Sequence, residues 1–241
     1  MRKYGFSTGA LAFGDFARAL ELLENVFVEA IELSALRPEE LVPLMAFVTK
    51  ANLSRFSFVS VHAPAGYSAW EEAEIVRHLQ AFAERGWPIV VHPDAINRFT
   101  LWTELGEHLL VENMDKRKSI GRTARELTQI YWELPKAGMC FDIAHARQFD
   151  TSMTEAYKIL RDHGDRIRQV HISEVTTSSK HDRISPTAVR AYQEVSGLVP
   201  PDVPIILETP AEGEQLEEQL DLAAAAFNSS RAGQRRAGSV L

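Results

Sequence analysis

Short apolar runs recur along the chain, and almost every one is followed by a longer stretch with helical spacing. The runs are Lys3–Ser7, Glu29–Leu33, Phe56–Val61, Pro88–Val91, His108–Val111, Gly138–Phe141, Ile167–Ile172 and Val203–Leu207. Several are continuously apolar rather than alternating, the pattern of parallel strands covered on both faces. Helical spacing predicts helices over Phe16–Leu23, from Pro38 onward, and over Trp70–Arg85, Thr123–Leu134 and Glu214–Phe227. Pro38 suits a first helical turn, where its missing N–H costs nothing. The fourth and fifth runs lie close together, so only a short helix fits between them. Eight such units predict one (β/α)8 barrel, a TIM barrel of α/β class. A doubly wound open sheet is the alternative, but the turn Ser7-Thr8-Gly9-Ala10-Leu11 lacks the GxGxxG fingerprint. Residues 1–227 are assigned to the barrel, and the polar, basic segment 228–241 to a flexible C-terminal tail.

Composition narrows the class. The chain has 241 residues, 45% hydrophobic and 24% charged, which excludes a disordered chain, a collagen-like repeat and a disulfide-stapled scaffold. With 26 basic and 33 acidic residues the formal charge is −7. Such a surface has no general attraction for phosphate backbones or anionic lipids. That argues against a nucleic-acid partner, while leaving room for a locally basic groove. Cys140 is the single cysteine and has no internal disulfide partner, which suggests a reducing compartment. It falls inside an apolar run and reads as core. The N-terminus lacks the apolar segment of a signal peptide, and no run approaches the roughly 18 residues needed to span a membrane. The expectation is a cytoplasmic protein without a membrane partner.

The candidate chemistry lies at the ends of the runs. His62 follows Val61, His92 follows Val91, Glu112 follows Val111 and Asp142 follows Phe141. His171 lies within the seventh run, and Glu208 follows Leu207. In a parallel barrel these positions meet at one rim, the C-terminal face where active sites are built. Each has a bland reading when taken alone, as a buried imidazole or a cap. Together, three carboxylates and three imidazoles out of water are costly unless a cation joins them. The pattern therefore predicts a metal centre. His145, three residues after Asp142, is a further ligand or a proton-transfer group. The loop Ser178–Arg183 supplies His181 and Asp182 as possible additional ligands. Nitrogen and oxygen donors without thiolate suit zinc or manganese, with magnesium, iron or cobalt as alternatives. One, two or three ions are compatible with the pattern. His78, His108 and His163 read as surface residues.

In order along the chain, the motifs are Val61-His62-Ala63-Pro64, Val91-His92-Pro93, Val111-Glu112-Asn113, Phe141-Asp142-Ile143-Ala144-His145, Val170-His171-Ile172 and Leu207-Glu208-Thr209. This series resembles the xylose isomerase-like TIM-barrel superfamily, which includes sugar isomerases, sugar epimerases and an endonuclease IV branch. The resemblance covers roughly residues 1–210. It implies a divalent metal held by Glu112, Asp142, His171 and Glu208, as in the epimerase-like members. The endonuclease branch adds two early histidines, matched by His62 and His92, and a histidine three after the aspartate, matched by His145. Its Asp-x-His pair is matched incompletely: Ile184 stands where the second histidine belongs, and His181 lies on the other side of Asp182.

Three functions follow as expectations. The first is a metal-dependent sugar or sugar-phosphate isomerase or epimerase, in which Glu112 and Glu208 transfer the proton. His145 acts beside them, and Arg183 helps to bind a hydroxyl or phosphate group of the small-molecule substrate. The second is an endonuclease IV-like phosphodiester hydrolase acting at abasic sites in DNA. The third is a metal-binding barrel without catalysis.

Overall fold

Parallel strands that are apolar on both faces must be covered on both, and a closed barrel does this with a ring of helices. The computed structural model describes residues 2–228. It contains β1 (Tyr4–Ser7), β2 (Ala30–Ser34), β3 (Phe58–His62), β4 (Ile89–Val91), β5 (Leu109–Glu112), β6 (Gly138–Asp142) and β7 (Ile167–Ile172). Two short strands, β8 (Glu174–Val175) and β9 (His181–Asp182), pair antiparallel outside the barrel. β10 (Ile205–Leu207) then closes it, in the order β1-β10-β7-β6-β5-β4-β3-β2. All eight barrel pairings are parallel. The fold is a (β/α)8 TIM barrel, as the apolar runs predict, and not a doubly wound sheet.

The helices are α1 (Thr8–Ala12), α2 (Phe16–Leu22), α3 (Leu41–Val48), α4 (Glu72–Ala83), α5 (Phe99–Trp102) and α6 (Ala124–Glu133). They continue with α7 (Ile143–Phe149), α8 (Thr154–His163), α9 (Pro186–Gln193) and α10 (Glu214–Ala226). As expected, a short helix bridges β4 and β5. The segment after β1, read from sequence as a turn, is instead the helix α1. Thr123 caps α6 by accepting a hydrogen bond from the Glu126 N–H. Pro38 opens a 3-10 turn that leads into α3. The proposed tail lies outside the described residues apart from Asn228. Among the described residues no helix is long and apolar enough to cross a membrane.

Alternate strand residues face two different cores. Ile89, Val91, Leu109, Val111, Met139 and Phe141 belong to the large cluster that includes the helices. Val90, Leu110 and Cys140, one position along, form a small separate cluster inside the barrel. Cys140 is buried there, in agreement with its reading as core. His163 departs from expectation, because it is buried rather than on the surface. Its Nε2 lies 3.0 Å from the Ala124 carbonyl and 3.2 Å from Thr128 Oγ1, so it ties the end of α8 to the start of α6. A histidine in the last turn of one helix is near its neighbour's first turn only once the two have packed, and sequence spacing does not show this.

Barrel closure also depends on one glycine. β1 runs so close to β2 that a Cβ built on Gly5 would sit 1.7 Å from the Ala30 carbonyl oxygen. Gly5→Ala is therefore expected to destabilise the protein by more than about 4 kcal/mol or to prevent folding, as measured by denaturant titration.

Candidate metal centre

The barrel strands run one residue further than the apolar pattern suggests at several positions, and the extra residue is the chemical one. His62, Glu112 and Asp142 are the last residues of β3, β5 and β6. His171 lies within β7, and His92 and Glu208 follow β4 and β10 directly. All six are thus brought to the same end of the barrel. The loop joining β8 and β9 folds back over this end, where Lys180 and His181 border the cavity.

Glu112 lies at the centre and is fully buried. Its Oε2 is 3.2 Å from His62 Nε2 and 3.3 Å from His92 Nε2. Its Oε1 is 3.2 Å from His145 Nδ1 and 3.4 Å from His171 Nδ1. His171 Nδ1 is also 3.5 Å from Glu208 Oε2. The ligand atoms of His62, His92 and Glu112 lie within 4.8 Å of one another, as do those of Glu112, Asp142, His171 and Glu208. Glu112 belongs to both groups and presents a different oxygen to the histidines of each.

Three sets of polar contacts aim these ligands. The Asn113 side chain donates to the Asp142 carbonyl and accepts from the Asp142 N–H, both at 2.8 Å, clamping the end of β5 to that of β6. Asp142 caps α7 by accepting from the His145 N–H at 2.6 Å. His62 Nδ1 is 2.9 Å from the Ala63 carbonyl, and His145 Nδ1 is 3.0 Å from the Asn113 carbonyl. A carbonyl can only accept, so these contacts place a proton on each Nδ1. That leaves Nε2 of His62 as the nitrogen that faces Glu112.

Below this layer lies a polar contact that the sequence reading missed. Glu32, on β2, is fully buried, and its Oε2 is 3.0 Å from His171 Nε2 and 2.6 Å from the Gln169 amide nitrogen. Ser60 donates to the same oxygen at 3.3 Å. Because β2 and β7 are not neighbours in the sheet, this contact spans the barrel interior. The carboxylate holds the proton on His171 Nε2 and turns Nδ1 toward Glu112 and Glu208, the way a carboxylate orients a metal-bound histidine. The one signal in the sequence was a charged residue in the middle of an apolar strand.

The site's charges are tightly linked. Burial works against Glu112 ionising, yet the charges of the facing His171 and His92, and the close approach of His145, hold its carboxyl well below the usual range. Burial also opposes protonation of His145, but Asp142 and Glu112 outweigh it and push the pKa up to about 10. At His62 burial acts in the same sense, and the bond to Glu112 with the charge of Glu32 overcomes it, giving about 9. Burial, with the charges of Glu112 and Glu208, raises Asp142 to about 6. Glu208 is raised by burial and by Glu112 and Glu32. Burial lowers His92 and His181.

These residues fit a divalent ion. His92 Nδ1, Glu112 Oε1, Asp142 Oδ2 and His171 Nδ1 are buried without a hydrogen-bond partner. Buried polar atoms left in that state are costly, and metal coordination satisfies them. The donor set is imidazole and carboxylate only, which suits zinc, manganese, iron or cobalt.

His181 reaches the mouth, with Nε2 3.6 Å from Glu208 Oε2 and Nδ1 2.9 Å from Ser173 Oγ. Asp182 is exposed and accepts from the Arg183 N–H, and it joins neither ligand group. Arg183 is also exposed and is not among the residues lining the cavity over the site. Lys180, which the sequence reading did not single out, lines it instead. Ile184 is buried in the core. The cavity holds about 630 Å³ and is lined by His62, His92, His181 and Glu208.

No family model and no curated protein sequence matches the chain. Solved structures do match. Endonuclease IV from Thermus thermophilus superposes with a TM-score of 0.61 at 20% identity, over 94% of this chain and 99% of that one. The 3-keto-D-glucoside 4-epimerase YcjR from E. coli gives 0.61 at 14% identity, over 95% and 100%. A protein from Anabaena variabilis ATCC 29413, assigned as a sugar phosphate isomerase/epimerase, gives 0.55 at 11%, over 92% and 88%. The class is that of (β/α)8 barrels with a histidine- and carboxylate-lined C-terminal mouth. Within it, the chain has the fold of the xylose isomerase-like TIM barrels.

Two predictions follow from the site. Between about pH 6.5 and 9 the folded metal-free chain holds protons on His62 and His145 that the unfolded chain has lost, so its stability falls as pH rises. The thermal midpoint of the chelator-treated protein should therefore drop across this range, and zinc should reduce the drop by replacing the lost positive charge. Second, Glu32→Gln keeps the shape but removes the charge that orients His171. Zinc affinity by chelator competition should fall roughly 10- to 100-fold while the fold persists.

Proposed function

We propose that the protein is a divalent-metal-dependent enzyme that isomerises small sugars or sugar phosphates, with Glu208 as the proton-transfer group. The observation that carries this reading is the disposition of the carboxylates around the cavity. Glu208 lines the cavity, whereas Glu112 is enclosed by four imidazoles and does not line it. A base must reach the proton it removes. One reachable carboxylate fits a proton moved between adjacent carbons on a single face better than it fits exchange between two faces by two glutamates. Burial, with the charges of Glu112 and Glu32, raises the Glu208 pKa, the direction that makes a carboxylate a better proton acceptor. The cavity is of small-ligand size, and Lys180 is the basic residue lining it, which supports a small molecule over DNA.

A bound divalent ion would polarise vicinal sugar oxygens and acidify the hydrogen between them. Glu112, Asp142, His171 and Glu208 would hold one ion, and His62, His92 and Glu112 a second. His181 lies over Glu208 at the mouth and is placed to bond a substrate hydroxyl. The single buried thiol fits a cytoplasmic setting.

The metal-loaded protein should exchange solvent deuterium into at least one member of a panel of ketoses, aldoses, their phosphates and their aryl- or alkyl-substituted derivatives, read by mass spectrometry. Glu208→Gln should slow this exchange at least about 100-fold. Absence of exchange across the panel, with bound metal verified, overturns the isomerase reading.

The His62–His92–Glu112 group favours a second reading, because a single-ion proton-transfer centre does not need it. Two ions sharing a carboxylate suit hydrolysis of a phosphoester. Zinc-dependent nicking of an abasic duplex, or hydrolysis of bis(p-nitrophenyl) phosphate, without deuterium exchange would favour this reading instead.

A further inference from the structure

The cavity over the candidate ligands also has an apolar lining that a bare sugar phosphate does not need. It is built from Ala10, Phe13, Leu36, Ala63, Ala65 and Pro210. Phe13 is 78% exposed and Leu36 42% exposed, so neither contributes much to the core. Exposed apolar side chains gathered at the mouth of a polar site mark a binding surface rather than a folding requirement.

Both residues are held in place from beneath. Phe13 ends α1 in the left-handed region (φ 51°), with its N–H donating to the Gly9 carbonyl at 3.1 Å. Residues with side chains rarely adopt this conformation, and a phenylalanine there gains no local compensation. Leu36 is fixed by its N–H, which donates to Glu40 Oε2 at 2.7 Å. The two segments approach closely because Gly9 has no side chain: a Cβ there would meet Ser34 Cβ at 2.9 Å and Leu36 Cδ2 at 3.1 Å. The result is a preorganised apolar lip in the same cavity as His62, His92, His181 and Glu208.

From this we infer that Phe13 and Leu36 form an apolar subsite, and that the substrate carries an aromatic or aliphatic substituent beside its metal-chelating oxygens. The inference rests on the metal-centred reading above. A substrate that was polar throughout would leave the lip wet. A ligand with a chelating end and an apolar body matches both the candidate ligands and the lip, and its affinity increases with the apolar area it covers.

The test needs no turnover. Acetohydroxamate and 3-phenylpropanohydroxamate offer a metal the same two oxygens and differ in the apolar tail. Their binding to the zinc-loaded protein is measured by calorimetry. The phenyl compound should bind roughly tenfold tighter or more. Phe13→Asn, which tolerates the left-handed backbone, and Leu36→Ser should each reduce that preference at least threefold and leave acetohydroxamate affinity unchanged. Equal binding of the two compounds by the wild-type protein, or a preference that both variants retain, overturns the subsite alone. Binding of neither compound, with zinc verified, overturns the metal-centred reading beneath it.

Discussion

Keeping the Glu112 carboxylate ionised inside the barrel mouth requires compensation, because removing such a group from water costs several kcal/mol. Four imidazoles supply it, two facing each oxygen. That arrangement constrains the surrounding structure. His62 ends β3, His92 follows β4, His145 lies in α7 after β6 and His171 within β7, so they meet only if the barrel closes with that end level. Much of what the site does follows from this one buried charge. It holds protons on histidines when no metal is present, and it gives two groups of ligands a common member.

The layer below the site extends the same logic into the barrel. Most TIM barrels fill their interior with branched apolar side chains. This one places Val90, Leu110 and Cys140 there, but it also buries Glu32, Ser60 and Gln169. Glu32 spans from β2 to β7 to reach His171. A polar interior of this kind costs stability wherever an atom is left unpaired, as Glu32 Oε1 and Gln169 Oε1 are. It gains a histidine whose orientation is set on both sides, by a carboxylate beneath and by Glu112 and Glu208 above. The same mouth also carries the apolar lip of Phe13 and Leu36, which line one cavity with the candidate ligands His62, His92 and Glu208.

Much of this was legible in the chain before folding. Continuous apolar runs separated by helical segments require two-sided burial, and eight such units without the GxGxxG turn of a doubly wound sheet point to a parallel barrel. The same runs place His62, His92, Glu112, Asp142, His171 and Glu208 at strand ends, and a barrel gathers strand ends. Both inferences rest on local periodicity, which is a property of the sequence itself. The polar loop after β7 was visible too, but not which of its residues turns inward. His181 and Lys180 line the cavity, whereas Asp182 and Arg183 do not.

Contacts between residues far apart along the chain were not legible in this way. The contact between Glu32 and His171 depends on barrel closure and on register, and no spacing rule connects two strands on opposite sides of a barrel. The burial of His163 depends on how α8 packs against α6. The separate standing of Glu112 and Glu208, which form a matched pair on paper, depends on which carboxylate the surrounding imidazoles enclose and which is left facing the cavity. Local periodicity specifies the barrel and the ring of candidate ligands around its mouth, because both depend on short stretches of chain. The division of labour among those ligands is set by packing across the barrel, where distances are decided by closure and not by position in the chain.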